Sequence, residues 1–457
     1  MSQVSHKCFD MQIKSIAIMG AGLVGSLLSM YLKRKGYEVT VYERRPDLRL
    51  TGAAGGRSIN LAISERGWKG LAGVEMEAEI RKMAIQMPGR MIHAIDGALA
   101  FQPYGKPGEA INSVSRGDLN VALVNAAEKS GINFLFNQRI VETDLAGTHA
   151  IMEDVESGKT YKLQPDLLIG ADGAFSLARY TMIKTDKFNY EQVYEEHGYK
   201  ELSIPPGPDN TWLLEKNALH IWPRKNFMLI ALPNQDGSFT CTLFFHAKGE
   251  LSFDSIKTAD ELQHFFETYF PDVIPLMPAL KQDYFQNPTG SLMTVKCFPW
   301  VNGNTLLIGD AAHAIIPFYG QGMNCGFEDC SVLDTLIDEF NHDWSKILPE
   351  FQSSRKQNSD AIADLAKLNF IEMRDLVADP DFQFKKKIAA KVNQLYPAKF
   401  IPVYSMVSFS NLPYSSALKE YNRQNIVLDK VLTMPDIKNK WETEYFEEIA
   451  GMLFNQG

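Results

Sequence analysis

The chain has 457 residues, 45% hydrophobic and 22% charged. These proportions are ordinary for a globular protein of two or three domains whose core needs neither disulfides nor a structural metal. The formal net charge of −9 weighs against nucleic acid as a partner, because phosphate binding needs a clustered Lys/Arg face.

No stretch reads as a signal peptide and no run approaches the ~18 apolar residues of a membrane span, so a soluble, cytoplasmic protein is expected. The five cysteines (Cys8, Cys241, Cys297, Cys325 and Cys330) form no Cys-x-x-Cys pair, which fits a reduced compartment. The short basic runs at 33–35, 43–45 and 385–387 read as solvated faces.

The first informative segment is KSIAIMGAGLVGSLLSMYLKRKGYEVTVYERR, residues 14–45. A short apolar strand leads into Gly20, Gly22 and Gly25 in Gly-x-Gly-x-x-Gly spacing. A helix pattern follows, closed by Gly36, and then a second strand ending at Glu43. Gly20 allows the tight turn, Gly22 lets a pyrophosphate approach the backbone, and Gly25 lets helix and strand pack closely. A carboxylate at the end of the second strand can accept from ribose hydroxyls. This unit predicts dinucleotide binding without separating NAD from FAD.

Residues 113–131 predict an amphipathic helix with Ser115 and Asp118 as a capping box. Arg116 at its start reads, taken alone, as a solvated side chain. A strand in 166–179 ends at Asp172-Gly173, and another in 305–314 ends at Gly309-Asp310. Both put an acid at the carboxyl end of a buried strand, where open α/β sheets bind ligands. Between them, alternating runs near 219–245 with a turn at Asp236-Gly237 predict an antiparallel sheet.

Pro317, Gly320 and Gly322 then precede a helix. Such a loop offers backbone N–H groups and a helix N-terminus to a ligand, as the electron-rich edge of a reduced isoalloxazine requires. Asp310 would hold a ribityl chain, and the turn from Gly320 to Asn324 the ring. His313 has no second His or Cys at ligand spacing, so it reads as a packed, hydrogen-bonded histidine and no metal site is expected. Beyond residue 330 the pattern is mostly helical.

The expected fold is α/β: a Rossmann-like FAD-binding domain with an inserted, mostly antiparallel β-sheet substrate domain and a helical C-terminal region. The expected divisions are 1–185 (63–112 contributing to the substrate side), 186–286, 287–370 as the cofactor domain's return segment, and 371–457. With no second glycine motif, a separate nicotinamide domain is not expected.

Several stretches carry a resemblance: GRSINLA (56–62), RMIH (90–93), LHIWPR (219–224), FMLIALPN (227–234), SFTCTLFF (238–245), YFPDVIPL (269–276), GDAAHAIIPFYGQGMNCGFEDC (309–330), NFIEMRD (369–375) and FIPVYSMVSFS (400–410). Together they resemble the single-component FAD-dependent aromatic hydroxylases and, within these, the kynurenine 3-monooxygenase family. The resemblance implies tightly bound FAD with NADPH as transient reductant. It also implies hydroxylation of L-kynurenine to 3-hydroxykynurenine with O2, through a flavin C4a-hydroperoxide, in tryptophan catabolism.

It places FAD contacts at Arg57, Ala62, Arg116, Asp310, Met323 and Asn324, beside Gly20, Gly22, Gly25, Glu43, Asp172 and Gly322. It places the substrate carboxylate on Arg90 and Tyr104, with Asn369 and Tyr404 nearby. Pro317, Phe318, Tyr319, Gln321 and Met373 surround the ring. No catalytic side chain is implied, since the flavin carries the chemistry. Eukaryotic members have a C-terminal membrane anchor; the segment WETEYFEEIAGMLFNQG (441–457) is too short and acidic to span a bilayer, so no anchor is expected. A homodimer is the assembly weighed.

A nicotinamide dehydrogenase would leave Asp172, Asp310 and the Gly320–Asn324 turn without a role. A flavin-bound sensor would need a partner surface that no tail, charge block or heptad run supplies. The alternative is an FAD-dependent hydroxylase of another aromatic acid on the same scaffold.

Overall fold

The structure, a computed structural model, describes residues 13–51, 60–144, 146–373, 380–443 and 446–447. Its organising element is a six-stranded sheet in the order 301–302, 305–307, 167–170, 15–19, 38–42, 133–135. Ser15–Met19 sits near its centre, with Glu38–Tyr42 on one side and Leu167–Gly170 on the other, both parallel to it. Its residues form an almost continuous apolar run (SIAIM) because helices cover both faces of a parallel sheet. The chain leaves this sheet after Gly170 and returns at Thr305–Leu307, in register with Leu168–Gly170.

The intervening chain, joined by two earlier strands, builds a seven-stranded sheet in the order 290–298, 189–204, 239–246, 227–233, 219–224, 89–93, 99–103. All neighbours are antiparallel except Leu219–Arg224 beside Gly89–His93. The sheet takes in Gly290–Phe298, beyond the boundary expected at 286, and two strands from within 63–112.

Strand alternation divides this sheet into two cores. Phe227, Leu229 and Ala231 point to one side, where Phe245, Phe265, Phe266 and Phe270 pack under the helices Ala259–Tyr269 and Leu280–Gln286. Met228, Ile230 and Leu232 point to the other, toward Tyr104, Phe318, Tyr319 and Tyr404. That second face roofs the candidate site.

Behind the nucleotide sheet, the helix Gly322–Glu339 packs against the first helix, Leu23–Arg34, and against the 28-residue helix Trp344–Ile371. Lys35, expected on a solvated face, instead bonds Asp334 at 3.2 Å and Asp338 at 2.6 Å across this contact. The run at 385–387 does lie on the surface, where Lys385 and Lys386 pair with Asp429 and Glu372 and Lys386 and Lys387 are exposed. The expected helix over 113–131 begins at Arg116, because residues 111–115 pair as a strand; Ser115 caps it by accepting from the Asp118 N–H. A C-terminal helical layer follows, with Val403–Ser408 and Tyr414–Leu432 packed on Trp344–Ile371. Among the described residues no helix is long and apolar enough to cross a membrane.

Phe266 has no exposed surface and sits in the centre of the aromatic cluster. Phe266→Ala should cost about 3–5 kcal/mol, read as a lowered urea midpoint with native-like far-UV circular dichroism.

Candidate functional site

The cofactor end is built where the first strand meets the first helix. Gly20 has φ +109°, and a side chain there would also strike the Ala171 carbonyl. A methyl on Gly25 would drive into the carbonyl of Gly20. Gly22 faces open space and caps the helix Leu23–Arg34 with no side-chain bond, leaving the first-turn N–H groups for an anion.

Glu43, 7% exposed, braces this turn: Oε2 accepts from the Ala21 N–H at 2.9 Å and Oε1 from the Arg45 N–H at 3.0 Å. It lines a recess with Asn120, Asp47 and Phe136. Asp172 lies just beyond its strand. Its Oδ2 accepts from the Leu177 N–H at 2.7 Å, while Oδ1 is buried with no hydrogen-bond partner among the described residues. Burial raises its pKa.

Asp310 is exposed at the start of the short helix Asp310–His313. The helix Gly322–Glu339 begins with no side-chain cap and no acid in its first turn, so Gly322 and Met323 offer bare N–H groups. An open phosphate cradle, an orphaned buried carboxylate oxygen and an uncapped helix start fit a flavin dinucleotide.

The side chain of Asn324 is spent inside the protein. Its Oδ1 accepts from the Ser64 N–H at 3.0 Å, and Nδ2 donates to the carbonyls of Ala62 at 2.9 Å and Gly320 at 2.8 Å. Asn324 therefore clasps the turn and has its backbone N–H to offer a ligand. Arg116 is exposed on the first position of its helix. Arg57 lies outside the described residues.

The substrate end is a column of phenols. Tyr104 and Tyr404 stack with centroids 5.0 Å apart, and Tyr404 and Tyr319 at 5.6 Å. Arg90 projects from Gly89–His93 with its guanidinium 5.2 Å from the Tyr104 ring and 5.9 Å from that of Tyr404. Arg90 makes no ion pair among the described residues, against the usual fate of a strand arginine. Its Nε is buried with no hydrogen-bond partner among the described residues, and the buried Tyr104 hydroxyl is within reach of the Tyr404 phenol. Burial, reinforced by the Tyr404 phenol, pushes Tyr104 and Tyr319 well above the usual phenol range, so both remain O–H donors.

Asn369 and Phe318 belong to an adjoining group. Asn369 Nδ2 donates to the Phe318 carbonyl at 2.7 Å, which leaves Oδ1 as its presented acceptor. The Phe318 ring stacks on Phe370 at 4.2 Å and leans on Phe244 at 4.9 Å. Met373 lines a neighbouring recess with Phe370 and Met228. Pro317 is exposed. Arg90, Tyr104, Tyr319 and Tyr404 thus converge directly, while Phe318 and Met373 pack beside them.

Five residues absent from the expected site tie its parts together. Asp329 has no exposed surface. Its Oδ1 accepts from Arg355 Nε at 2.7 Å; its Oδ2 lies 2.7 Å from His313 Nε2 and accepts from the Gly309 N–H at 3.2 Å. Arg355 also donates to Glu328 at 2.7 Å, and Glu328 pairs with the fully buried Arg66. The Arg66 guanidinium lies 3.9 Å from the centroid of Tyr414.

His313 is packed and hydrogen-bonded as expected, but the expectation of no partner at ligand spacing needs correction. His313, Cys325 and Asp329 bring candidate ligand atoms within 4.8 Å of one another. Helical folding of the chain after Gly322 brings Cys325 and Asp329 back to it. The Arg355 guanidinium already neutralises the carboxylate. The motif GFEDC held a visible signal in its paired acids, whereas Arg66 and Arg355 look like ordinary helical residues.

Burial alone would lower the pKa of His313; the Asp329 carboxylate and its hydrogen bond outweigh this and hold it well above the ordinary value. The same pairing, with Arg355, lowers Asp329 against its own burial. A raised histidine pKa contributes stability in full below about pH 6.5, lost as pH rises through the folded value. Urea unfolding of the protein should therefore show a stability decline on the alkaline side that is absent in His313→Gln. Asp329→Asn, which strands Arg355, should cost about 3–5 kcal/mol and lower the flavin bound per chain, measured by absorbance after desalting.

Comparison with known proteins places this geometry. The family described as FAD binding domain matches residues 14–366. A kynurenine 3-monooxygenase of Flavobacterium johnsoniae is 49% identical, over 94% of this chain and 97% of its own. One from Christiangramia forsetii is 47% identical, over 95% and 97%. Among solved structures, 2-methyl-3-hydroxypyridine-5-carboxylic acid oxygenase superposes with a TM-score of 0.65 at 21% identity, covering 81% of this chain and 95% of its own; that likeness is one of fold.

Proposed function

The chain belongs to the kynurenine 3-monooxygenase family of FAD-dependent monooxygenases, and from this we propose that it hydroxylates L-kynurenine at the ring carbon beside the amino group, using NADPH and O2. The observation that carries the substrate assignment is the buried Arg90 Nε, which has no hydrogen-bond partner and no acid among the described residues and lies against the Tyr104 and Tyr404 rings. A buried cationic donor without a partner is costly, and a ligand carboxylate would satisfy it.

Bound FAD supplies the redox chemistry, taking electrons from NADPH and activating oxygen toward the ring. The chain's own residues do the positioning. The N–H groups at Gly22 and the acids Asp172 and Asp310 hold the dinucleotide. Glu43 and the Asn324 clasp keep the turns in shape. Arg90 and Tyr104 fix the carboxylate end of the amino acid. Asn369 offers an acceptor to an amine hydrogen. Tyr319, Tyr404 and the apolar face of the seven-stranded sheet flank the aromatic ring and exclude water. Neutral phenols suit this role, because a phenolate beside Arg90 would compete for it.

The purified holoenzyme should oxidise NADPH in air faster when L-kynurenine is added, and mass spectrometry should find a product heavier by one oxygen. Bound FAD without any response to kynurenine would redirect the assignment to another aromatic acid. Arg90→Gln removes a charge-assisted contact worth about 1.5–3 kcal/mol, so KM for kynurenine should rise roughly 10- to 150-fold while bound FAD is retained.

A further inference from the structure

Gln321 is 2% exposed. The Tyr414 hydroxyl donates to its Oε1 at 2.9 Å, and the Ser64 hydroxyl makes a longer contact with the same oxygen at 3.4 Å. Tyr414 is therefore the main restraint on that oxygen. Turning the amide over would leave the buried Tyr414 hydroxyl hydrogen without an acceptor among the described residues, which is unfavourable in a site closed to water. The nitrogen end is different. Nε2 has a single long contact among the described residues, to the Tyr319 carbonyl at 3.4 Å, so one of its hydrogens has no partner among them.

Tyr414 is itself held rigidly. It has no exposed surface, and the Arg66 guanidinium lies 3.9 Å from its ring centroid. Arg66 is pinned by Glu328 and by the carbonyls of Val407 and Leu412.

We propose that Tyr414, with Ser64, is a positioning residue that locks the Gln321 amide as a hydrogen-bond donor toward the chamber, so that the site selects an aryl ketone over an analogue lacking the ketone oxygen. This rests on the reading of kynurenine as substrate. The selection is one of polarity: a fixed donor pairs with the ketone oxygen and finds nothing on a methylene. A freely turning amide would present oxygen or nitrogen and discriminate less.

The test uses the holoenzyme and its Tyr414→Phe variant, which keeps the ring and its packing. Binding of L-kynurenine, and of the analogue with a methylene in place of the ketone, is followed by the flavin absorbance change. The wild type should prefer the ketone by about tenfold. Tyr414→Phe should shrink that preference to about twofold or less at unchanged FAD content. The isosteric Gln321→Glu keeps the Tyr414 bond but turns an oxygen toward the chamber. It should lose at least about tenfold in kynurenine affinity while leaving the methylene analogue nearly unaffected.

A Tyr414→Phe enzyme with full FAD and the wild-type preference would overturn the proposal. Failure of the wild type to bind kynurenine at all would instead strike the functional reading. In that event the lock is judged by hydrogen exchange of the Gln321 side-chain amide in protein labelled with nitrogen-15 glutamine. Exchange faster in Tyr414→Phe supports the lock, and equal exchange overturns it.

Discussion

A carboxylate sealed from water holds this molecule's ligand-binding parts in register. Asp329 projects from the helix Gly322–Glu339 toward three donors on two other segments: the Gly309 backbone and His313 on one turn, and Arg355 on the helix Trp344–Ile371. Taking such a charge out of water is expensive, and it is tolerated only where each oxygen is met by donors. The result is stringent. The turn that presents Asp310, the helix whose start forms the ring cradle, and the long helix carrying Asn369 cannot shift independently without uncovering the charge. Through Glu328 and Arg66 the same constraint extends to Tyr414, and so to the C-terminal layer that supplies Tyr404.

The seven-stranded sheet makes a second use of one chain. Its period-2 alternation buries an aromatic core on one side and leaves a mixed apolar face on the other, from which Arg90 enters the phenol column. An arginine placed there without an acid is unfavourable unless a ligand completes it. The surrounding groups are of fixed polarity. Tyr104 and Tyr319 remain protonated, Asn369 has spent its donors, and Gln321 has spent its acceptor.

The parts legible in the chain are those whose partners are close in sequence. Gly20, Gly22, Gly25 and Glu43 act within one strand–turn–helix–strand unit, so their spacing carried the geometry. The alternation in 219–245 similarly announced an antiparallel sheet, including its turn at Gly237. The sheet's outer limit was less visible: Gly290–Phe298 joins it by pairing with Asn189–Ile204, a choice made across the fold. Lys35 read as solvated because its partners, Asp334 and Asp338, lie some 300 residues onward.

The sequence by itself determined a dinucleotide cradle, a parallel sheet followed by an antiparallel one and, through its motifs, a family, because local backbone geometry and hydrophobic period are written in contiguous residues. Tertiary structure alone decided which arginines are buried and that the Asn324 side chain clasps Ala62, Ser64 and Gly320. Arg66 meets Leu412 across 346 positions and Arg355 meets Asp329 across 26. A side chain's charge state and polarity depend on the groups that desolvate it, and those come from wherever the fold brings them.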